Sequence, residues 1–197
     1  NWFLVKGSII ASYYPNRECR TMGDTDIIVD DLEKAHDLLM DLGFETISKN
    51  SDREYKYKKN GMLFEIHNRL VYEETINNDA TTCFLNNYQN YVYDNKLQES
   101  FHFVYVIYHL QKHFSHRGVG LRQFLDIAFL IKNNESLEWD WIEKSLDECG
   151  LLLFARNAFY CIEKWFGVSS PIGSSVMQDE TYNLSTYYVI ENGVFGF

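Results

Sequence analysis

The feature that most constrains this chain is a pair of acids, Asp24 and Asp26, that runs directly into the apolar residues 27–29. A β-branched apolar triplet predicts a buried strand. Because side chains alternate along a strand, the two acids share one face, and Thr25 and Ile27 share the other. Neighbouring carboxylates repel one another unless a cation lies between them, so the pair indicates a Mg²⁺ site. The alternative is only a turn that precedes the strand.

A third acid, Glu65, lies in a predicted β-hairpin. Residues 54–59 and 62–67 alternate in polarity on either side of an Asn-Gly pair, which is the strongest short hairpin signal. Glu65 falls on a strand that is otherwise suited to burial, and an unpaired buried carboxylate is costly. A metal ion shared with the first two acids would account for it.

A turn precedes the acid pair in the sequence. The short apolar run at residues 2–5 ends in Lys6, Gly7 and Ser8, and mostly apolar residues follow. A strand, a Gly-Ser turn and the start of a helix would bring backbone N–H groups and a hydroxyl to a place where a phosphate chain can be held. The turn therefore becomes informative only in combination with the acids.

With this turn and these three acids, the sequence resembles the bacterial nucleotidyltransferases of the NTP_transf_5 type, within the superfamily of DNA polymerase β. The resemblance covers about residues 2–132. The residues that carry it are Val5-Lys6-Gly7-Ser8, Tyr14-Pro15, Arg20, Gly23-Asp24-Thr25-Asp26, Glu65-Ile66-His67, His109 to His113, and Gly120 to Ile127.

The resemblance implies an α/β (α+β) fold: a small mixed β-sheet with flanking helices that carries the acids, then an α-helical lobe, with the active site in a cleft between them. We predict a core with its connector at residues 1–95, a helical lobe at 96–167, and a tail at 168–197 that packs on the helices or is partly disordered. Periodicity and turn signals predict helices at about 32–42, 97–114, 121–132, 136–150 and 151–166, a strand at 44–47, a polar loop at 48–53 and an irregular connector at 68–95.

The resemblance also implies an activity: transfer of a nucleoside monophosphate from an NTP such as ATP to an acceptor hydroxyl, with release of pyrophosphate. Asp24, Asp26 and Glu65 would hold two Mg²⁺ ions, with Mn²⁺ as an alternative. Phosphate contacts would come from Gly7, Ser8, Lys6 and Arg20. The competing interpretation is a catalytically inactive module of the same fold that binds a nucleotide or a protein, for example the antitoxin-like half of a pair.

Several histidines are candidate substrate contacts. His67 follows the third acid, and His109 and His113 lie four residues apart on one predicted helix, with Arg122 close behind. The pair is compatible with a structural role, with contacts to nucleotide or acceptor, or with metal binding. Zinc-protease chemistry is excluded because Leu110 stands where the motif needs Glu. We predict that this cluster is not a zinc site, because cysteine and a fourth ligand are missing nearby.

The charge of the chain bears on its partners. The formal net charge is −10, from 18 basic and 28 acidic residues, whereas a protein that binds long nucleic acids needs a basic surface. Basic residues cluster at 53–59 and 112–122. The lysines of the first cluster either protect an edge strand or attract a triphosphate. We therefore expect a small-molecule or protein acceptor rather than tRNA.

The cysteines, the apolar runs and the first residues of the sequence bear on where the protein is located in the cell. The four cysteines form no Cys-x-x-Cys pair, so reduced thiols are expected. An apolar run long enough to span a membrane is missing, and no signal peptide is visible. We predict a cytoplasmic protein. Because Asn1 lies in the lead-in to a strand, we also expect a segment before it, as the family resemblance implies.

Overall fold

The computed structural model describes residues 1–50, 54–72, 79–116, 118–194 and 196. The chain divides into two compact units, Asn1–Gln98 and Glu99–Phe197. The predicted fold class is confirmed, because the first unit contains a mixed β-sheet and the chain then continues into helices.

The first unit is organised by a five-stranded sheet with the order β1-β2-β5-β4-β3. Strands β2 and β5 are parallel, and the other neighbouring strands are antiparallel. The strands are β1 Trp2–Leu4, β2 Thr25–Val29, β3 Glu45–Asn50, β4 Glu54–Lys59 and β5 Met62–His67. The helices of this unit are α1 Gly7–Ile10, α2 Leu32–Asp41 and α3 Asp79–Asn86, and a small hairpin joins β6 Val92–Tyr93 to β7 Lys96–Leu97.

The predicted hairpin turn and the predicted start of helix α2 are both confirmed. The turn between β4 and β5 is formed by Asn60 and Gly61, both with positive φ (51° and 80°), which suits the twist of a two-residue hairpin. Helix α2 begins after Asp31, whose carboxylate accepts hydrogen bonds from the backbone N–H groups of Glu33 and Lys34, both at 3.1 Å. These residues fix where the strands and the helix begin.

Helix α2 covers one face of the sheet. Its Leu32 packs in a buried cluster with side chains that alternate toward it from three strands. The members are Val29, Leu32, Tyr55, Tyr57 and Ile66, with Ile27, Ala35, Leu39, Phe44 and Phe64 packed against them. Because successive side chains of a strand point to opposite faces, the polar residues between these positions lie on the other face.

The second unit is helical. Its helices are α4 Glu99–His116, α5 Leu121–Asn133, α6 Trp139–Glu148, α7 Leu152–Phe166 and α8 Asp179–Glu191. Helix α4 is the centre of its core, with Phe101, Val104 and Ile107 fully buried. Helix α7 ends at Gly167, whose φ of 67° gives the left-handed cap expected at a glycine. Among the described residues, no helix is both long and apolar enough to cross a membrane.

Several predicted boundaries differ from the structure. The connector at 68–95 contains helix α3 and the first strand of the β6–β7 hairpin, and its residues 73–78 lie outside the described residues. Strand β3 continues to Asn50, into the predicted loop, of which residues 51–53 also lie outside the described residues. Helix α4 begins two residues later than predicted because Leu97 pairs with Val92, and α6 begins at Trp139 rather than at residue 136.

The C-terminal segment forms a helix for which the sequence shows no period. In α8, Tyr182 packs on Tyr160 and Tyr188 packs on Phe114, with ring centroids 5.7 and 5.1 Å apart. Leu184, Tyr187 and Ile190 of the same helix are exposed. Apolar side chains therefore point both inward and outward, which removes the one-sided pattern that predicts an amphipathic helix.

After α8 the chain lies against the start of α5. The backbone N–H groups of Leu121 and Arg122 donate to the carbonyls of Gly193 and Val194, at 3.0 and 3.1 Å. These are among the N–H groups that have no partner within a helix, so the segment caps α5. An added Cβ at Gly120 would lie 2.5 Å from backbone atoms of Val194.

We expect Gly120→Ala to lower the free energy of unfolding by about 1–3 kcal/mol, because the new methyl group meets backbone that cannot move aside cheaply. Gly23→Ala is the matched control, since a Cβ there meets no described atom within 4 Å. Urea unfolding followed by tryptophan fluorescence measures both variants. Equal midpoints for the two variants would contradict the close contact.

Candidate active site

The polar face of the first sheet carries a row of charged residues. Asp26 of β2 is paired in register with Glu65 of β5, and Glu65 is paired with Lys56 of β4. Two residues further along β5, on the same face, His67 is paired with Glu54 of β4. The hairpin and the parallel β2–β5 pair therefore bring these five side chains together on the face opposite α2.

Asp26 is the most buried acid of this group, with 5% of its surface exposed. Its Oδ1 lies 2.7 Å from Lys6 Nζ and 3.3 Å from His67 Nε2. Burial alone would raise the pKa of the Asp26 carboxyl, but the Lys6 charge and the hydrogen bonds from His67 and Lys6 outweigh it and hold the pKa well below its usual range. Asp26 is therefore an anion at neutral pH.

Lys56 joins the two remaining acids. Its Nζ lies 2.6 Å from Glu65 Oε1 and 2.8 Å from Glu54 Oε1. Partial burial lowers the pKa of Lys56, but the bonds to Glu54 and Glu65 more than offset this and raise it. For the Glu54 carboxyl, burial alone would raise the pKa, but the hydrogen bond and charge of Lys56 outweigh burial and hold the pKa below its usual value. The cluster therefore alternates negative and positive charges.

Lys6 reaches Asp26 from an unusual backbone conformation. Its φ of 52° and ψ of −122° are rare for a residue with a side chain. The Lys6 carbonyl accepts from the N–H groups of Ile9 and Ile10, and the neighbouring Val5 N–H donates to the carbonyl of Asp26. Such strain costs about 1–3 kcal/mol and is concentrated at functional sites. The turn is thus held to the strand that carries Asp26.

Next to this turn lie the other predicted phosphate contacts. Arg20 and Ser8 are both buried, with 8% and 9% of their surfaces exposed. The guanidinium of Arg20 packs against Gly7, where an added Cβ would lie 2.5 Å from Nη1. Ser8 Oγ is buried and has no hydrogen-bond partner among the described residues. A buried polar atom of this kind is rare and indicates a ligand or water partner.

The structure brings together some of the predicted metal ligands. Within the part of the chain that is described, one group of three residues has ligand atoms within 4.8 Å of one another: Asp26, Glu65 and His67. Asp24, by contrast, is exposed, precedes the first residue of β2 and is not in this group. The role of Asp24 as a metal ligand stays a prediction. Sequence reasoning missed Lys56 as the partner of Glu65, and it assigned His67 only to substrate contact.

The other candidate contacts lie in the second unit. His109 and His113 are half-buried neighbours on α4, with their Nε2 atoms 3.2 Å apart and their ring centroids 4.4 Å apart. Arg122 lies in the first turn of α5, at the helix start that the C-terminal segment caps. Their roles as substrate contacts stay predictions.

The first unit is thus a mixed α/β sheet with a face of carboxylates beside a Gly-Ser turn. Residues 1–167 match the sequence model of the NTP_transf_5 family, described as "Uncharacterised nucleotidyltransferase". The chain belongs to this family. A search of curated protein sequences finds no significant match. The general activity is therefore that of a nucleotidyltransferase, and the buried group of Asp26, Glu65 and His67 offers the oxygen and nitrogen donors that suit a divalent cation.

Proposed function

We propose that this protein transfers a nucleoside monophosphate from an NTP to an acceptor hydroxyl in a reaction that depends on divalent metal ions. The observation that carries the proposal is the pairing of the ionised, buried Asp26 with Glu65 on adjacent parallel strands, in a chain of this family. Transfer of phosphoryl groups is catalysed mainly by positioning and by neutralisation of charge. The paired acids are suited to hold the cations that neutralise a triphosphate.

The two acids have distinct proposed roles. Asp26 would bind the cation that contacts the triphosphate, because it is the most buried acid and is anionic across the neutral range. Glu65, with Asp26 as a shared ligand, would hold the cation nearer the acceptor, and Asp24 would complete the set, as the family resemblance implies. Bound there, Mg²⁺ or Mn²⁺ would neutralise phosphate charge and make the acceptor oxygen a better nucleophile.

The phosphate chain of the NTP is proposed to lie at the Gly7–Ser8 turn. Ser8 Oγ has a proton to donate and no partner among the described residues. Arg20 supplies a guanidinium against Gly7 that is suited to bidentate phosphate binding. Lys6 would move from Asp26 to a phosphate oxygen when a cation takes its place on the carboxylate. The Lys6 ammonium would thus pair with Asp26 when the substrate is absent and with a phosphate of the NTP when it is bound.

The acceptor is proposed to be a small molecule or a protein. The net charge of −10 disfavours a long nucleic acid, whose backbone is normally gripped by several lysines and arginines. On the polar face of the sheet, the Lys56 ammonium pairs with the carboxylates of Glu54 and Glu65, and it is therefore not available to contact the phosphates of a nucleic acid. Label from an NTP that appears chiefly on RNA would refute this assignment.

A second function has one observation in its favour. Lys6 and Lys56 form ion pairs with Asp26 and Glu65, which favours a module of the same fold that binds a nucleotide but does not catalyse transfer. Calorimetric titration with an NTP and Mg²⁺ detects binding in both cases. Metal-dependent release of pyrophosphate above that of the cell extract alone distinguishes them, because only a catalytically active protein adds to it.

A further inference from the structure

His67 has both ring nitrogens directed at carboxylates. Its Nε2 lies 3.3 Å from Asp26 Oδ1 and 3.8 Å from Glu65 Oε2, and its Nδ1 lies 3.7 Å from Glu54 Oε2. The ring is buried, with 9% of the residue exposed. A surface histidine that served only for solubility would not be surrounded in this way. The two nitrogens thus have different surroundings: Nε2 faces the two proposed metal ligands, and Nδ1 faces a third acid.

Metal-bound histidines have a similar arrangement, with the metal at one ring nitrogen and an acceptor at the other. A histidine that binds a metal through one nitrogen nearly always donates its other ring N–H to a carboxylate or a carbonyl, which fixes the ring and its tautomer. Glu54 is the carboxylate on that side of the ring: its Oε2 lies 3.7 Å from Nδ1, longer than a hydrogen bond but within reach of a small side-chain movement, and Lys56 holds its other oxygen at 2.8 Å. Lys56 also holds Glu65 through Oε1, which leaves Oε2 on the side of His67.

The donor distances are close to those of one small cation. Two neighbouring ligands of an octahedral ion with bonds of about 2.1 Å lie about 3 Å apart. The separations of His67 Nε2 from Asp26 Oδ1 and from Glu65 Oε2 are 3.3 and 3.8 Å. The ligand atoms of all three residues lie within 4.8 Å of one another, so side-chain movements of about 1–2 Å would bring both oxygens and the nitrogen onto one ion, with the Lys6 ammonium, now 2.7 Å from Asp26 Oδ1, moving aside. The proposed transferase requires a metal here but does not by itself require a nitrogen ligand.

From these contacts we infer that His67 is a nitrogen ligand of the cation held by Asp26 and Glu65, that Glu54 positions its ring, and that the site consequently prefers Mn²⁺ or a similar transition-metal ion to Mg²⁺. The inference rests on the proposed function and concerns the class of cation that the site selects. Imidazole binds first-row transition metals well, whereas Mg²⁺ strongly prefers oxygen donors and water.

The charge of the group also predicts how many ions bind before the nucleotide does. Its three carboxylates are Asp26, Glu65 and Glu54, and its two ammonium groups belong to Lys6 and Lys56. One negative charge remains, which one divalent cation more than balances. We therefore expect one tightly bound Mn²⁺ per chain without nucleotide, and a further ion only when the NTP brings its own negative charge.

The test uses the full chain, freed of metal by a chelator, with Mn²⁺ as the probe. Free Mn²⁺ is counted by electron paramagnetic resonance, Mg²⁺ is measured by competition, and electron spin-echo modulation detects a ¹⁴N nucleus bound to Mn²⁺. We expect one site, Mn²⁺ binding at least about tenfold tighter than Mg²⁺, and ¹⁴N modulation. The variants are His67→Gln, Glu54→Gln and, as a matched control, His116→Gln at an exposed position on α4.

The variants separate a ligand from a positioning residue. His67→Gln should lose the ¹⁴N modulation and weaken Mn²⁺ binding at least about tenfold with a smaller effect on Mg²⁺, so that the preference between the two ions is lost. Glu54→Gln should keep the modulation and weaken Mn²⁺ binding about tenfold. His116→Gln should behave as the unaltered protein does. If His67→Gln does not fold, the ¹⁴N signal of the unaltered protein and the Glu54→Gln result still decide the question.

Two outcomes would overturn the inference. Equal affinity for Mn²⁺ and Mg²⁺ without ¹⁴N modulation would show an all-oxygen site, and the proposed transferase would be unaffected. Unchanged ¹⁴N modulation in His67→Gln would place the nitrogen elsewhere. If neither ion bound with or without an NTP, both the inference and the proposed function would fail, so the two failures are distinguishable.

Discussion

Asp26→Asn is expected to abolish nucleotidyl transfer while the protein stays folded. The amide keeps the size of the carboxylate but loses the charge that would hold the cation between the enzyme and the triphosphate. The loss of such a metal contact removes several kcal/mol of transition-state stabilisation, which is about a thousandfold in rate. Transfer of label from an α-labelled NTP, measured beside the circular dichroism spectrum, gives the result.

The control for this variant is Asp37→Asn, which makes the same chemical change at an exposed position of helix α2. It should transfer label at the rate of the unaltered protein. Asp24→Asn tests the remaining acid of the predicted motif, and we expect it to lose activity as well because the family resemblance implies that both acids hold metal. Near-normal transfer by Asp26→Asn would refute the assignment of the metal site.

Lys6→Met is expected to destabilise the metal-free protein by about 3 kcal/mol at pH 7, because removal of one partner leaves the buried Asp26 charge without its main compensation. Methionine retains most of the length and apolar stem of the lysine. Divalent metal should restore part of the loss, since a cation on Asp26 replaces the missing charge. Urea unfolding with and without Mn²⁺ measures both effects.

The effect of Lys6→Met should also depend on pH in a defined direction. In the folded protein the pKa of Asp26 lies below its usual value because of Lys6 and His67, which outweigh the effect of burial. A lowered folded-state pKa contributes stability that is fully present above about pH 4 and is lost as the pH falls below it. The unaltered protein should therefore lose its advantage over the variant in acid.

The control for the lysine variant is Lys34→Met. Lys34 forms an ion pair with Asp31 at 3.2 Å, but the pair is exposed, with 85% and 43% of the two side chains accessible. Such pairs contribute about 0–1 kcal/mol. A loss for Lys6→Met as small as that of Lys34→Met, or one that does not change with pH, would contradict the buried ion pair.

Much of the first unit follows from local sequence signals. The two-residue Asn60–Gly61 turn pairs Lys59 with Met62, and this fixes every pairing further along the hairpin. Counting outward pairs Lys56 with Glu65, so the partner of the third acid was available in the sequence. The alternation of side chains also placed Asp26 on one face of β2.

Other features of the site could not be read from the sequence. The contact between Lys6 and Asp26 depends on a positive φ at Lys6, and this conformation carries no composition signal in a residue other than glycine. The position of His67 relative to Asp26 depends on the parallel pairing of β2 with β5, which joins strands far apart in the chain. Helix α8 was not predicted for a different reason. Its apolar residues lie on both its buried and its exposed sides, so the sequence lacks the one-sided apolar pattern by which a helix is recognised.

The most direct measurement of the central claim uses one NTP labelled in two ways. The full chain is incubated with Mn²⁺ and a cell extract stripped of nucleic acid, once with the α-phosphate labelled and once with the γ-phosphate labelled. Nucleotidyl transfer predicts α-label on a protein or small-molecule acceptor and γ-label in pyrophosphate, with both lost in Asp26→Asn. Label from the γ-phosphate on the acceptor, or its release as orthophosphate while the α-label stays in the nucleotide, would contradict the account.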